Sequence, residues 1–345
     1  MKTESRFEWV DTAKGIAILM VMWGHAVIKH DVIYWWITTF HVPTFLVITG
    51  YLYGKKNKVH FGSKESIIKL AKPYLVFSII SCCTDFAYEY LSSKSISGAV
   101  KIAGIDIYKT LFLYGIHALW YLPAYVLSAK LFFVVKNKAE NKSKHLIVPL
   151  MALVGVGFNF LSPYIKGRVP SSIYMLAAIP VVTVVRALLC TVFITFGYAA
   201  SKWEGGGGQL FSEAKTWIKY SVSGLLLLLS FIASSANSES NLSIVLVGDN
   251  PLCFFLSAFL GSVGLMALSS AMQHKSNVLQ YFGRNSLILL VTHHSLKFTF
   301  LARFIAGAFL PEESFAFGLM VLLLLTLIET LVVEICNAKC RHLFS

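Results

Sequence analysis

The sequence predicts an all-α protein, a polytopic bundle of about ten membrane-spanning helices with both termini in the cytoplasm. Three observations predict it. Of 345 residues, 56% are hydrophobic and 14% are charged, well short of the quarter or so that is usual in soluble domains, and mean hydropathy is +0.68. Apolar runs of bilayer-spanning length recur from one end of the chain to the other. The Lys and Arg residues between those runs are unevenly shared, nineteen on one expected side against seven on the other. The richer side is the cytoplasmic one.

The expected spans lie at roughly 12–30, 32–53, 67–91, 116–135, 146–162, 175–200, 217–235, 251–272, 285–305 and 314–336. The first is long and lacks a small-residue cleavage site, so it reads as a retained helix and not a signal peptide. Its link to the second is very short. Residues 136–145 form a basic cytoplasmic loop. Gly205 to Gly208 read as a flexible connector without the flanking residues of a phosphate-binding loop. Residues 236–250 face outside and close on Gly248–Asp249–Asn250–Pro251, a turn that runs into Pro at a helix start. No internal repeat and no pair of broken helices is visible, which argues for a single domain over 1–345.

The net charge of +13 would suggest nucleic acid in a soluble protein. Here it belongs to cytoplasmic loops, and no nucleic-acid partner is expected. The same charge can attract an anionic cytosolic substrate. Of six cysteines, four lie within apolar segments and pack as small hydrophobes. Cys336 and Cys340 have no nearby ligand set, so neither a disulfide framework nor a zinc site is supported.

Ionisable residues inside apolar segments are the functional candidates, because they are costly there. Lys14 is followed eleven residues later by His25, about 16 Å at helical rise. The Lys then sits near one face and the His at mid-depth. His41, in Phe40–His41–Val42–Pro43, and His293, in Thr292–His293–His294, each lie about 12 Å in from their own helix ends. Each of these histidines alone can be a hydrogen-bonded structural group; three at one depth point to a shared polar cavity. A neutral imidazole suits general-base work on a hydroxyl. It also suits a metal, but the spacing matches no zinc pattern. Arg186, mid-way along the sixth span, needs a partner. Asp85 and Glu89, one turn apart on the third, either pair with it or face the hydroxyls of a sugar. Glu329 and Glu334 read as interhelical polar contacts. Trp120, like Trp35 and Trp36, belongs to an interfacial aromatic belt or to a stacking platform for a sugar.

These residues fall in an order that resembles a known family. Arg6…Trp9–Val10–Asp11–Thr12–Ala13–Lys14–Gly15 through Trp23–Gly24–His25 resembles the opening of the acyltransferase-3 family of integral membrane acyltransferases, closest to its fucose O-acetylase-like branch. Phe40–His41–Val42–Pro43 through Thr49–Gly50–Tyr51, Lys72–Pro73–Tyr74, Leu119–Trp120–Tyr121–Leu122–Pro123 and Gly283–Arg284–Asn285–Ser286–Leu287…His293 follow in family order. Two positions depart. Lys14 stands where the family has Arg, which keeps the cation and loses the bidentate fork. Thr49 replaces Ser before Gly–Tyr and keeps the hydroxyl. Many members carry an extra extracytoplasmic hydrolase-like domain, which is not expected here.

The resemblance implies a bacterial inner-membrane enzyme. It would move an acyl group, most simply acetyl, from acyl-CoA to a hydroxyl of a surface polysaccharide or its lipid-linked precursor. No bound cofactor is implied; acyl-CoA is a co-substrate, and acyl-CoA, the glycan and membrane lipids are the partners. His25 would be the catalytic base, with direct transfer favoured over an acyl-histidine relay. His41 and His293 would orient the acceptor or stabilise the oxyanion. Lys14, Asp11, Arg6 and Lys72 would serve the acyl-CoA, with Asp11 pairing near Lys14. Arg186, Trp120, Asp85 and Glu89 would serve the acceptor. The competing class is a transporter or flippase of glycans or small acids, which would leave the thioester intact.

Overall fold

The computed structural model describes residues 7–27, 32–55, 64–138, 141–205, 214–272 and 276–344. Arg6 and most of the glycine run lie outside these residues. In chain order the helices are α1 (Glu8–Ala26), α2 (Val32–Lys55), α3 (Lys64–Ser93), α4 (Ile96–Leu111), α5 (Tyr121–Lys138), α6 (Asn141–Lys166) and α7 (Ser171–Gly205). They continue with α8 (Thr216–Ser235), α9 (Pro251–Ala271), α10 (Asn277–Arg284), α11 (Ser286–Thr292), α12 (Phe298–Gly307), α13 (Phe315–Lys339) and α14 (Arg341–Phe344). A 3₁₀ turn, His117–Trp120, leads into α5. Among the described residues, eight helices are long and apolar enough to cross a membrane. The protein is thus an all-α, multi-pass membrane bundle.

Two expected spans are corrected. The first starts at Glu8 and stops at Ala26, where Val27 turns extended at φ −76°, ψ 144°. Glu8 and Asp11 fit the positive end of that helix. His25 therefore lies in the last turn of α1. The ninth span, 285–305, is not one helix. α11 ends at Thr292, and α12 starts only after Lys297, which adopts a left-handed φ of 61°. The polar run Thr292–His293–His294–Ser295 marks the break in the sequence. Irregular backbone survives in a membrane protein only where other groups satisfy it. Here the Thr84 hydroxyl donates to the Ser295 carbonyl at 3.0 Å and the Thr299 hydroxyl to the His293 carbonyl at 3.0 Å. Helices α4 and α10 were not anticipated.

Elsewhere the local signals act as the chemistry dictates. Asn250 caps α9 by accepting from the Cys253 amide at 3.2 Å, with Pro251 in the first turn and Gly248 at φ +83° before it. Ser314 caps α13 in the same way, accepting from Phe317 at 3.1 Å. Pro43 removes the amide that the Thr39 carbonyl would have received within α2.

The chain forms two compact units interleaved in sequence. The first comprises Met1–Val59, Phe193–Ser240 and Val247–Leu287; the second comprises His60–Val192, Asn241–Leu246 and Ile288–Ser345. In the first, backbones approach closely through glycine. A methyl group added at Gly50 would stand 1.9 Å from the Ile194 carbonyl oxygen, and one at Gly197 would stand 2.0 Å from that of Val47. A seam of buried hydroxyls ties α2, α8 and α9 together. Thr39 and Ser257 lie 2.8 Å apart, Ser230 and Ser257 exchange bonds to each other's carbonyls at 2.9 Å, and Thr44 donates to Ser262 at 3.2 Å. Such hydroxyl pairs hold helices together where burial of apolar surface gives no preference. Trp36 joins this seam, donating to Ser230 at 3.0 Å. It thus sits at the interface of α2 and α8.

Candidate functional site

The first unit holds Lys14, Asp11, His25 and His41. Helix α1 and short helix α10 meet face to face. An added methyl at Gly15 would stand 1.9 Å from the Leu279 carbonyl oxygen, and one at Gly283 would stand 1.7 Å from that of Asp11. Only glycine permits this approach. It brings Arg284 to the buried Asp11, with Nε 3.4 Å from Oδ2, while Gln280 accepts from the same guanidinium at 3.2 Å. Asp11 is thus ion-paired with Arg284 from the other end of the chain. Two of the motifs that carry the family resemblance, around Gly15 and around Gly283, are two halves of one helix clasp. Lys14 is half-buried on α1, one residue from Gly15. The far end of α1 lies against α2, since a Cβ at Gly24 would touch the Tyr34 ring at 3.8 Å. His25, next to Gly24, is half-buried there.

His41 is oriented by its own helix. Its Nδ1 lies 2.8 Å from the Ile37 carbonyl oxygen. A carbonyl only accepts, so Nδ1 carries the proton and Nε2 of the neutral ring keeps its lone pair. His293 repeats the device in the second unit, with Nδ1 2.6 Å from the Leu289 oxygen. His293 is fully buried. His25 and His41 lie in the first unit and His293 in the second.

The second unit concentrates polar groups around the break between α11 and α12. Asp85 on α3 receives two cations or donors, one on each oxygen. His117 Nε2 lies 2.7 Å from Oδ2, and the Lys297 ammonium is ion-paired to Oδ1. The His117 ring stacks on that of His294, with centroids 4.1 Å apart and planes at 28°. Lys297 also lies over the rings of Phe300 at 5.2 Å and Tyr88 at 5.8 Å. Thr292 donates to the buried Glu329 at 2.6 Å, an interhelical polar contact.

Arg186 is fully buried and takes a different set of partners from the expected carboxylates. Its guanidinium donates to the carbonyls of Ser243 and Tyr114, both at 2.8 Å, and lies over the rings of Trp120 at 5.0 Å and Tyr114 at 5.1 Å. The Leu113 carbonyl is at 3.5 Å. Arg186 therefore staples the loop between α4 and the 3₁₀ turn. That loop needs a staple, because Leu113, Gly115 and His117 all have positive φ. Trp120 becomes part of the same staple. Glu89 lies toward α4, its Oε1 3.1 Å from where a Cβ of Gly98 would be. Lys72 is exposed on α3, and its neighbour Tyr74 bonds the Thr110 carbonyl at 3.0 Å. Asp106, on α4, pairs with Lys109 at 3.2 Å. Burial pushes its carboxyl above the usual carboxylate value, with Lys109 pulling the other way.

Sequence reasoning passed over His117, His294 and Lys297. The signal for His294 and Lys297 was the clustering of polar residues at 292–297 inside an apolar stretch, which a broken helix explains. Among the described residues, no group of three or more His, Cys, Asp or Glu side chains is placed to hold a metal ion.

No curated protein and no solved structure matches the chain. A family model described as an acyltransferase domain matches residues 7–334, from the start of α1 to the last turns of α13. With nearly the whole chain matched, the protein belongs to the acyltransferase-3 family.

Proposed function

We propose that the protein transfers an acyl group, most simply acetyl, from acyl-CoA to a sugar hydroxyl of a surface polysaccharide or its lipid-linked precursor. It would do so in a bacterial inner membrane. The observation that carries this reading is the acyltransferase match over 7–334 on a multi-pass bundle whose first helix bears Lys14 and His25. CoA is a multiply charged anion. Lys14, together with the basic loops, gives it a cationic approach. His25 takes the proton of the acceptor hydroxyl as its oxygen attacks the thioester carbonyl. The tetrahedral oxyanion then collapses, the C–S bond breaks, and the imidazolium returns the proton to the departing thiolate. No net proton is released, so one histidine suffices for direct transfer.

The reading is tested with purified full-length protein, acyl-labelled acyl-CoA and glycan extracted from the producing cell. Label should appear in the glycan and free thiol in solution. Loss of a general base costs on the order of 10²–10⁴ in rate, and His25→Ala should show that loss while staying folded. Near-wild-type glycan labelling by His25→Ala removes His25 from the chemistry. A transporter, which the break between α11 and α12 would also suit, leaves the thioester unconsumed.

A further inference from the structure

We propose that Asp85, His117 and Lys297 form a polyol-binding subsite in the second unit that holds the acceptor sugar by its hydroxyls. The proposal rests on the acyl-transfer reading for the identity of the sugar as acceptor, and on the geometry below for the site itself.

Two strained residues converge on one carboxylate. His117 has φ 48° and Lys297 has φ 61°, a region that side-chain-bearing residues seldom enter. Such strain persists only where the surroundings over-determine it, and it collects at sites of function. An ion pair for stability alone needs only Asp85 and Lys297. It does not need a histidine in a left-handed conformation on the second oxygen.

The cluster is also open. The side chains of His117 and Lys297 are 29% and 19% exposed, and that of Asp85 is 11%. The structural polar groups of the same unit, Arg186 and Glu329, are 0% exposed. An ionised carboxylate only accepts, so His117 Nε2 carries the proton toward Asp85 and Nδ1 presents a lone pair. Lys297 has three N–H donors, of which Asp85 takes one. The cluster therefore offers one acceptor and further donors, held on the two oxygens of one carboxylate. A hydroxyl both donates and accepts, and a sugar carries several. Asp85 and Lys297 carry opposite charges, and beside them Asp106, which interacts with Asp85, pairs with Lys109 at 3.2 Å, so acids and bases are matched around the cluster. The rings of His294, Phe300 and Tyr88 flank the polar groups and supply faces for the apolar side of a pyranose.

The test is saturation-transfer NMR on the detergent-solubilised full chain, without any acyl donor. The probes are the methyl glycosides of fucose, galactose and glucose at about 10 mM, suited to the millimolar affinity of a few hydrogen bonds. At least one glycoside should receive saturation from the wild type. His117→Phe keeps the stacked ring and drops the nitrogens; Asp85→Asn removes the charge that orients the imidazole. Each should cut the transfer roughly fivefold or more, in line with losing about 1 kcal/mol of hydrogen bonding. As a readout that needs no variant, the ring signals of labelled His117 in the wild type should move during the titration. Absence of transfer from every glycoside overturns the subsite. So does transfer that is unchanged in folded variants, or a titration that leaves His117 unmoved. Acyl transfer without glycoside binding here would remove the subsite alone. Glycoside binding without thioester consumption would keep the subsite and remove the acyltransferase reading.

Discussion

Replacing Arg186 should destabilise the protein through the loop it holds. The guanidinium serves the carbonyls of Ser243 and Tyr114 at 2.8 Å and lies over two aromatic rings. Hydrogen bonds to a charged group are worth about 1.5–3 kcal/mol each, and the two carbonyls left behind are partly buried. The two ring contacts add about 0.5–2 kcal/mol. Relaxation and the relief of a buried charge offset part of this. About 4 kcal/mol remains, on the order of 10 °C in melting temperature at about 2–4 °C per kcal/mol. The assay is thermal unfolding in detergent, read as the loss of monodisperse protein, with protease cleavage between residues 112 and 117 as a local report. Arg186→Met refills most of the volume and drops the hydrogen bonds. Arg186→Lys keeps the charge with one nitrogen in place of the fork. The expected order of stability is wild type, Lys, Met, Ala. A Met variant as stable as the wild type and equally protected at 112–117 would refute the staple. It would also return Arg186 to the role of an acceptor contact.

Three further expectations follow from the geometry. Gly283→Ala should force α1 and α10 apart, because its methyl would stand 1.7 Å from the Asp11 oxygen; overpacking costs about 1–3 kcal/mol, and a melting temperature within error of wild type would refute the clasp. Lys14→Ala should weaken apparent acyl-CoA affinity while Lys14→Arg keeps most activity; loss of turnover at unchanged affinity would move Lys14 into the chemistry. Burial holds the carboxyl of Asp106 above its ordinary value, so folding loses stability as pH rises from that ordinary value through the folded one. Asp106→Asn should therefore be more stable relative to wild type at about pH 7 than at about pH 3, as measured by thermal unfolding at both; the opposite order would refute the burial argument.

The sequence by itself determined the class of the protein. Apolar length and hydropathy are local properties, so the long helices of a membrane protein are legible one at a time, and eight appear close to where hydropathy placed them. Caps are local too, which is why Asn250–Pro251 read correctly as a helix start. The ordered family motifs were legible for the same reason. Their physical meaning was not, because Gly15 and Gly283 matter through an approach across 268 residues of chain, 283 minus 15. Where the helices end and where one breaks was less legible. Helix α1 stops one residue after His25, and the segment around His293 breaks because tertiary partners such as Thr84 satisfy its backbone. Partner choice was decided only by the fold. Arg186 and Asp85 looked complementary in charge, yet backbone carbonyls took the first, and His117 and Lys297 took the second. A charge inside a membrane needs a partner, and sequence states that need without naming what meets it, since backbone carbonyls carry no signature in the residue code.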